Sequence, residues 1–340
     1  MGALAVSRES GLVDGGLWFR VEESSAVSAV RRAAQEVGAE VGLDENRLGG
    51  LAIVATELAS NLVKHADEGR LLVRPVRSAD VAGVELVAID AGPGMSDLTR
   101  FARDGHSTAG TLGIGLGAIA RQAGWLDMSS VEGRGTVTVA QVWPGPTPTG
   151  PAAAAISRPM SGEEACGDGY AMRTVDGSRQ VLVCDGLGHG PLAAAATTAV
   201  VQAFRAAPAG PPAAVIEHVH RSVRHTRGAA VAVAQLDEGQ VRYAGLGNIA
   251  GFLVDGTSRR GLVSLPGIAG HQRRAVREFS YPAAPDAVLA MHSDGVVDRW
   301  RLEDYPGLRD RSAQVIAATL LRDAGVRRDD ACVLVARAGR

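Results

Sequence analysis

A proline- and glycine-rich stretch near the middle of the chain constrains its fold most strongly. Residues 144–151 read Pro-Gly-Pro-Thr-Pro-Thr-Gly-Pro, and four alanines follow them. Proline fixes φ and lacks a backbone donor, so neither a strand nor a helix continues through such a segment. The 340 residues also exceed the length of a usual domain, which is about 100–200 residues. The sequence therefore predicts two domains, residues 1–143 and 156–340, joined by a Pro/Ala-rich linker at 144–155.

Charge and composition narrow the classes of function. The formal net charge is −2, and we expect no nucleic-acid partner because binding a phosphate backbone needs clustered Lys and Arg. No apolar run approaches the roughly 18 residues of a membrane span, and the first residues lack a signal-peptide core, so we expect no membrane partner. The three cysteines have no CxxC spacing, which favours a reducing compartment and predicts a cytoplasmic protein.

Hydrophobic periodicity predicts an α+β sandwich in the first half, with helices on one face of a sheet. The predicted helices cover 25–41, a segment after Asp44, and 114–123, and the predicted strands cover 17–21, 71–76, 84–89, 126–131 and 136–142. The second half has more strands and fewer helices, which predicts a β-sandwich with helices packed outside it. Its strands are expected at 180–184, 229–235, 241–244, 249–254, 287–291 and 332–336, and its helices at 191–206 and 213–224.

One predicted helix of the first half carries two polar residues on the same face. Glu57 and Asn61 are four residues apart, so their side chains project side by side. An isolated pair at this spacing would be interpreted as surface residues. The neighbours are apolar, however, and an acid and an amide on so little polar surface indicate a functional position. These neighbours are Leu51, Ile53, Val54, Leu58, Leu62 and Val63.

Two glycine-rich segments follow this helix. Asp90 ends a predicted buried strand and precedes Gly92 and Gly94, which let the backbone approach a ligand; a plain turn is the competing interpretation. Residues 110–117 read Gly-Thr-Leu-Gly-Ile-Gly-Leu-Gly and open a helix, where free backbone N–H groups suit phosphate oxygens. The three signals in this order predict a nucleotide site.

Together these motifs resemble the GHKL ATPase superfamily over about residues 17–143, and residues 104–108 resemble the short lid of the anti-sigma switch kinases. The resemblance implies a GHKL (Bergerat) fold that binds ATP with Mg²⁺. Asn61 would hold the Mg²⁺, and Asp90 would accept a hydrogen bond from the adenine amino group. The remaining implied nucleotide contacts are Gly92 and Gly94 at the base, Gly113, Gly115 and Gly117 around the phosphates, and Thr136 beneath the adenine.

Glu57 decides between two functions for such a domain. A carboxylate beside the γ-phosphate can orient a hydroxyl nucleophile and accept its proton, whereas a module that only binds ATP and sequesters a partner does not need one. Glu57 therefore favours an active kinase, and by the resemblance its substrate is a serine or threonine of a STAS-domain, anti-anti-sigma-type protein. Lys64 either contacts phosphate or is an ordinary helix-end residue, and His65 is interpreted as a helix-end residue.

Five acids of the second half stand beside buried strands. Asp185-Gly186 follows an apolar run, and Asp294-Gly295 closely follows another. Asp168 and the pair Asp329-Asp330 complete the set. Buried anions are costly unless they are paired or bind metal, so the cluster predicts a cation, and all-oxygen ligands favour Mg²⁺ or Mn²⁺ over Zn²⁺.

The acid motifs resemble the SpoIIE-like branch of the PPM metal-dependent phosphatases, over about residues 156–337. The resemblance implies a PPM-type α-β-β-α sandwich holding two Mn²⁺ or Mg²⁺ ions. Asp185 would bridge the ions with help from the Gly186 carbonyl. Asp294 and Asp329 would complete one ion site, and Asp168 would support the other. The resemblance also implies an outer role for Asp330 and places Cys332 where the family has Thr, while Arg158 and Arg227 remain alternatives for a phosphate-binding arginine, and His189 and His292 are structural.

The two resemblances together predict a bifunctional regulatory switch protein, a Ser/Thr kinase joined to a phosphoserine/phosphothreonine phosphatase. The alternative is an ATP-binding module that sequesters a partner without turnover, fused to an active phosphatase. Partners would be a STAS-type protein, alone or within a sigma-factor regulatory complex, and analogy to the GHKL switch proteins adds a homodimer.

Overall fold

The computed structural model describes residues 16–78, 80–95, 112–148, 150, 152–272 and 275–339. In the first half, five strands form one antiparallel sheet in the order β1-β2-β3-β5-β4. The strands are β1 (Leu17–Arg20), β2 (Arg70–Ser78), β3 (Val81–Ile89), β4 (Trp125–Val131) and β5 (Gly135–Val142). These bounds agree with the predicted strands to within a few residues.

Three helices cover one face of this sheet: α1 (Ser24–Glu40), α2 (Glu45–His65) and α3 (Leu112–Gln122). The Asp44 carboxylate accepts a hydrogen bond from the Arg47 N–H at 2.8 Å and so begins α2. Apolar residues of the helices and the sheet form a single core, in which Val30, Leu51 and Ile119 pack against Leu71 and Leu86. The α+β sandwich predicted for this half is therefore confirmed.

The second half contains two sheets packed face to face. One has the order β13-β10-β9-β8-β7 with β14 added to β10, and the other has the order β12-β11-β15-β16-β6. The strands are β6 (Ala153–Arg158), β7 (Asp168–Val175), β8 (Ser178–Gly186), β9 (Ala229–Asp237), β10 (Gln240–Leu246), β11 (Ala250–Asp255), β12 (Ser258–Leu262), β13 (Ser264–Leu265), β14 (Phe279–Pro282), β15 (Val288–His292) and β16 (Ala331–Arg337). Val181, Ala232, Tyr243, Leu289 and Leu334 belong to the core between the sheets.

Helices cover both outer faces of this sandwich. Helices α4 (Pro191–Ala206) and α5 (Pro212–Ser222) pack on the β7–β10 sheet through Phe204 and Ile216. Helix α6 (Ala313–Ala324) packs on the other sheet and is preceded by short 3₁₀ turns at Leu302–Asp304 and Leu308–Asp310. None of the helices in the described part of the chain is long and apolar enough to cross a membrane.

Helix α6 also covers the second face of the first-half sheet. Leu72, Val87 and Val139 of that sheet share one core with Ile316 and Leu320 of α6. The sequence predicted helices on one face of the sheet only and contained no prediction for α6. The two halves therefore pack against each other through this shared helix, in addition to being joined by the linker.

A buried arginine joins the halves through hydrogen bonds. Arg74 pairs with Glu85 at 2.6 Å, and both side chains are almost fully buried. The same guanidinium donates to the Ala155 carbonyl at 2.9 Å, the Tyr170 hydroxyl at 2.6 Å and the Gln314 side chain at 3.0 Å. Residues 153–155, which the sequence assigned to the linker, form the start of β6, because the sheet supplies partners for their backbone groups.

Candidate nucleotide and metal sites

Glu57 and Asn61 lie side by side on α2, facing the start of α3. A Cβ atom added to Gly115 of α3 would lie 2.6 Å from Glu57 Oε2 and 3.6 Å from Asn61 Oδ1. Glycine at position 115 therefore lets α3 approach the polar pair closely. The structure brings together three of the predicted site residues at this point.

A cavity of about 180 Å³ opens next to Asn61. The predicted residues Asn61, Asp90, Gly94 and Thr136 line it, and so does His65. The rest of the lining is largely apolar: Leu58, Leu62, Ala88, Pro93, Met95, Leu116, Met128 and Thr138. A mostly apolar cavity with a few polar groups is the usual form of a small-molecule site.

The Asp90 carboxyl is held rigidly at the wall of this cavity. Its Oδ1 accepts hydrogen bonds from the Gly92 N–H at 2.8 Å and the Thr136 N–H at 3.3 Å. Burial raises the pKa of Asp90, while these two hydrogen bonds act to lower it. The Thr136 hydroxyl lies 2.9 Å from the Ser130 hydroxyl, which accepts the Met95 N–H at 2.8 Å. The loop after Asp90 is thereby fastened to β4 and β5.

One glycine of this loop is required by its backbone. Gly94 has φ of 67°, and a Cβ there would lie 2.2 Å from the Val131 carbonyl oxygen. Any larger residue would push the loop away from the cavity. A plain turn, which is the competing interpretation of residues 90–95, would not need this tight contact between the loop and β4.

The remaining nucleotide residues predicted from the sequence lie on helices α2 and α3. Gly113, Gly115 and Gly117 lie inside α3, which begins at Leu112. Lys64 is exposed and does not line the cavity, whereas His65, interpreted from the sequence as a helix-end residue, does. The lid-like residues 104–108 and the first glycine of the rich segment, Gly110, lie outside the described residues.

Four acids from both sheets of the second half converge at one end of the sandwich. Asp168 at the start of β7 is the register partner of Asp185 near the end of β8. Asp294 follows β15, and Asp329 precedes β16, the strand that pairs with β15. The four acids Asp168, Asp185, Asp294 and Asp329, which stand beside buried strands in the sequence, therefore lie in one region of the fold.

Neighbouring side chains tie these acids together. Asn248 Nδ2 donates to Asp294 Oδ2 at 2.7 Å and lies 3.4 Å from Asp185 Oδ2. The Ser293 hydroxyl donates to Asp168 and accepts the Cys332 N–H at 3.0 Å. No role was predicted for Asn248 or Ser293 from the sequence; the signal that could have indicated Asn248 is its place in Gly245-Leu246-Gly247-Asn248, where an amide follows two glycines.

Asp330 organises the site from behind. Its two carboxylate oxygens accept hydrogen bonds from the Met160 N–H at 2.7 Å and the Gly167 N–H at 2.8 Å. Gly167 precedes Asp168, so Asp330 fixes the backbone that carries that acid. The outer role implied for Asp330 agrees with these contacts.

The carboxylates of these acids lie close enough to repel one another when they are ionised. Burial raises the pKa of Asp185 to about 7, and the charge of Asp294 is the next cause. Burial and then Asp185 raise the pKa of Asp168, and burial and then Asp294 raise that of Asp329. A divalent cation offsets such repulsion, and the oxygen donors suit a hard cation.

The side chains of the four acids are not arranged as a complete set of metal ligands. Within the described ranges, no group of three His, Cys, Asp or Glu residues is arranged to hold a metal ion. The Asn248 amide lies between Asp185 and Asp294 and holds their carboxylates by hydrogen bonds. The donor chemistry therefore fits divalent cations, with side-chain rotation needed to complete the coordination.

The two candidate arginines and His189 lie in different surroundings. Arg158 is buried, and its guanidinium donates to the carbonyls of Pro159 and Val326 rather than to any of the four acids. Arg227 lies beside the loop after Asp185, where its Nη1 would be 3.4 Å from a Cβ on Gly188. Of the two alternatives for a phosphate-binding arginine, the geometry favours Arg227. His189 pairs with Glu163 at 3.2 Å on the surface.

Comparison with known proteins finds a match for each half of the chain. The model of the Histidine kinase-like ATPase domain matches residues 21–142, and that of Stage II sporulation protein E (SpoIIE) matches residues 176–339. The serine/threonine-protein kinase RsbT of Bacillus subtilis (strain 168) is 31% identical over 117 residues, which cover 34% of this chain and 88% of RsbT. The chain belongs to the RsbT family. A SpoIIE domain follows its RsbT-like domain.

Solved structures resemble the chain as well. One, from work on the bacterial stressosome as a modular system adapted to control secondary messenger signaling, is 27% identical with a TM-score of 0.51 and covers 54% of this chain and 98% of its own. RsbX in complex with magnesium is 20% identical with a TM-score of 0.46, covering 54% of this chain and 94% of RsbX. The family matches confirm the GHKL and PPM folds predicted for the RsbT-like and SpoIIE domains, and such domains imply ATP and divalent metals as cofactors.

Proposed function

We propose that the protein is a two-way phosphorylation switch. Its RsbT-like domain phosphorylates a serine or threonine of a STAS-type partner, and its SpoIIE domain hydrolyses such a phosphoester. The observation that carries the proposal is the presence of two separate polar centres in one chain: Glu57 beside Asn61 at the nucleotide cavity, and a cluster of four acids, two of which Asn248 contacts. The RsbT relative, itself a serine/threonine kinase, supports the first activity.

In the first site the residues divide the work between binding and proton transfer. Asp90 and Thr136 line the apolar cavity and would fix the adenine, with Asn61 holding the Mg²⁺ that accompanies the triphosphate. Mg²⁺ supplies charge neutralisation at the phosphates. Glu57 lies next to Asn61 and would accept the proton of the attacking hydroxyl.

In the second site Asp185, Asp168, Asp294, Asp329 and the Gly186 carbonyl would hold two Mg²⁺ or Mn²⁺ ions. The ions supply Lewis-acid charge to the phosphoryl group. The chain itself positions the ligands: Ser293 orients Asp168, and Asn248 orients Asp185 and Asp294. Arg227 stands beside the same loop and would contact the phosphoryl oxygens.

Separate assays test the two halves. Incubated with radiolabelled ATP and a STAS protein, the Asp185→Asn variant should label the partner, and adding Glu57→Gln should remove the label while ATP binding remains. Glu40→Gln, an exposed change at the end of α1, is the matched control. Tight ATP binding with no transfer in any variant would favour the sequestering module.

The phosphatase assay is equally direct. Mn²⁺-dependent release of phosphate from p-nitrophenyl phosphate should vanish in Asp294→Asn. Asp255→Asn is the control, because Asp255 is an exposed acid at the end of β11, next to a hairpin turn, and also precedes a glycine. Retained turnover in Asp294→Asn would refute the assignment of the metal site.

A further inference from the structure

A second cavity, of about 80 Å³, lies between the two domains and is lined by arginines from both. Arg70 begins β2 in the RsbT-like domain, and Arg158 ends β6 in the second half. Arg322 lies in the last turn of α6, and Arg327 follows that helix. This cavity is distinct from the nucleotide cavity, although Asp90 belongs to both linings.

Two of the four arginines are neutralised by acids. Arg322 pairs with Asp323 through two contacts of 2.6 and 2.9 Å. Arg327 pairs with Glu68, which also lines the cavity. These two pairs leave little of the charge of Arg322 and Arg327 unbalanced.

Neither of the other two arginines forms an ion pair with a described residue, and the acids that act on them do so at longer range: Glu22 on Arg70, and Asp330 and Asp168 on Arg158. Arg158 donates only to the carbonyls of Pro159 at 3.1 Å and Val326 at 2.7 Å. Arg70 makes no ion pair and no side-chain hydrogen bond to any residue that the structure describes. Guanidinium groups carry five donors in a planar fork, so most of the donors of Arg70 and Arg158 are uncommitted.

Burial makes this arrangement unfavourable without a ligand. Arg158 is only 7% exposed. Burial lowers its pKa, and the charge of Arg70 is the next cause. Asp330 and Asp168 compensate the Arg158 charge only in part, because its pKa remains lowered, and an anion between the two guanidinium groups would offset the remaining cost of burial. The volume exceeds that of a single water, whose share of the liquid is about 30 Å³, and is enough for a tetrahedral oxyanion.

We propose that this interdomain cavity binds a phosphoryl group, either as free phosphate or as a phosphoserine side chain. Arg70 and Arg158 are its principal contacts. A phosphoryl group carries a charge of about −1.5 to −2 and three or more acceptor oxygens, which match two guanidinium forks. The bound anion would connect β2 of one domain to β6 of the other and so stabilise their association.

Calorimetric titration of the full chain in EDTA tests the proposal. EDTA removes divalent cations, so the four acids of the SpoIIE domain repel phosphate and do not compete. Inorganic phosphate, a capped phosphoserine peptide and sodium chloride of equal ionic strength are titrated in parallel. We expect saturable binding of at least one phosphoryl ligand, a matching rise in melting temperature, and no saturable effect of chloride. Tighter binding of free phosphate assigns that source, and tighter binding of the peptide assigns the phosphoserine.

Two variants locate the binding. Arg70→Gln should weaken it at least tenfold, whereas Arg77→Gln, an exposed change on the same strand, should leave it unchanged. Arg70→Lys, which keeps the charge but loses the fork, should fall between them and guards against a folding defect in the glutamine variant. Absence of saturable binding in the unmodified chain, or equal binding in Arg70→Gln and Arg77→Gln, would overturn the proposal.

Discussion

The Arg322 guanidinium donates a hydrogen bond of 3.4 Å to the backbone carbonyl of Asp90, across the boundary between the domains. Asp90 lines the nucleotide cavity, and Arg322 belongs to the helix that leads, within seven residues, to Asp329 of the metal site. The two candidate sites are therefore connected by one helix end and one loop.

Arg74 should contribute strongly to stability. Replacing it with leucine leaves the buried Glu85 carboxylate without its cation and breaks the contacts to Ala155 and Gln314. We expect a loss of about 3–5 kcal/mol in the free energy of unfolding, measured in urea. Arg77→Leu on the same strand is exposed and should change stability by no more than about 0.5 kcal/mol. Equal effects of the two substitutions would contradict the interdomain network.

The domains should remain associated after the linker is cut. Cleavage at a protease site placed within residues 144–150 would break the covalent link between the domains. Leu72, Val87 and Val139 would still pack against α6. Exposing that apolar face is unfavourable, so both fragments should elute together in size-exclusion chromatography. Elution as two separate species would show that the shared core does not hold them.

Gly115 should control phosphotransfer through Glu57. An alanine methyl group at this position would lie 2.6 Å from Glu57 Oε2, so the carboxylate must move. Because that carboxylate ends a flexible side chain, the fold should tolerate the change while transfer to the partner falls at least tenfold. Gly49→Ala on α2 meets no neighbouring atom and is the control, with an expected gain of about 0.5–1 kcal/mol in stability. Full activity in Gly115→Ala would contradict the assigned position of Glu57.

Without metal, stability should decline as the pH rises from about 4 to 7. The pKa of Asp185 is raised from 3.8 to about 7 in the folded chain. In that window the folded state binds more protons than the unfolded state, so deprotonation favours unfolding. Saturating Mn²⁺ should abolish the decline and release protons on binding, which calorimetry in two buffers of different ionisation enthalpy measures.

Asp185→Asn provides the comparison for this pH dependence. Asparagine cannot ionise, so the decline between pH 4 and 7 should be smaller in the variant than in the unmodified chain. An identical pH profile in both proteins would mean that the acids do not repel each other as the geometry indicates.

The sequence predicted the site acids better than the interface. Asp185 and Asp294 could be found because an Asp-Gly pair after an apolar strand is chemically unusual, and the folded chain brings them together with Asn248. Asn248 itself was missed because an asparagine after glycine is typical of a turn. The ligand geometry could not be predicted, since it depends on side-chain contacts between two sheets.

Helix α6 shows why the domain arrangement was not predictable. Its sequence, AQVIAATLLRDA, is buried on nearly every side from Ala313 to Leu321, because one side packs on β16 and the other on the first-half sheet. Burial of both sides of a helix depends on its tertiary contacts, which the sequence of the helix does not reveal. The same packing gave residues 153–155 strand partners, so the linker is shorter than the sequence indicated.

The central claim is that one chain both adds and removes a phosphoryl group on the same class of partner. The most direct measurement is a two-stage label experiment with a STAS protein: labelling by the Asp185→Asn variant with radiolabelled ATP, removal of ATP, then addition of the unmodified protein with Mn²⁺. We expect the label to appear on serine or threonine in the first stage and to be released as phosphate in the second. A partner that is never labelled, or a label that persists after the second stage, would contradict the account.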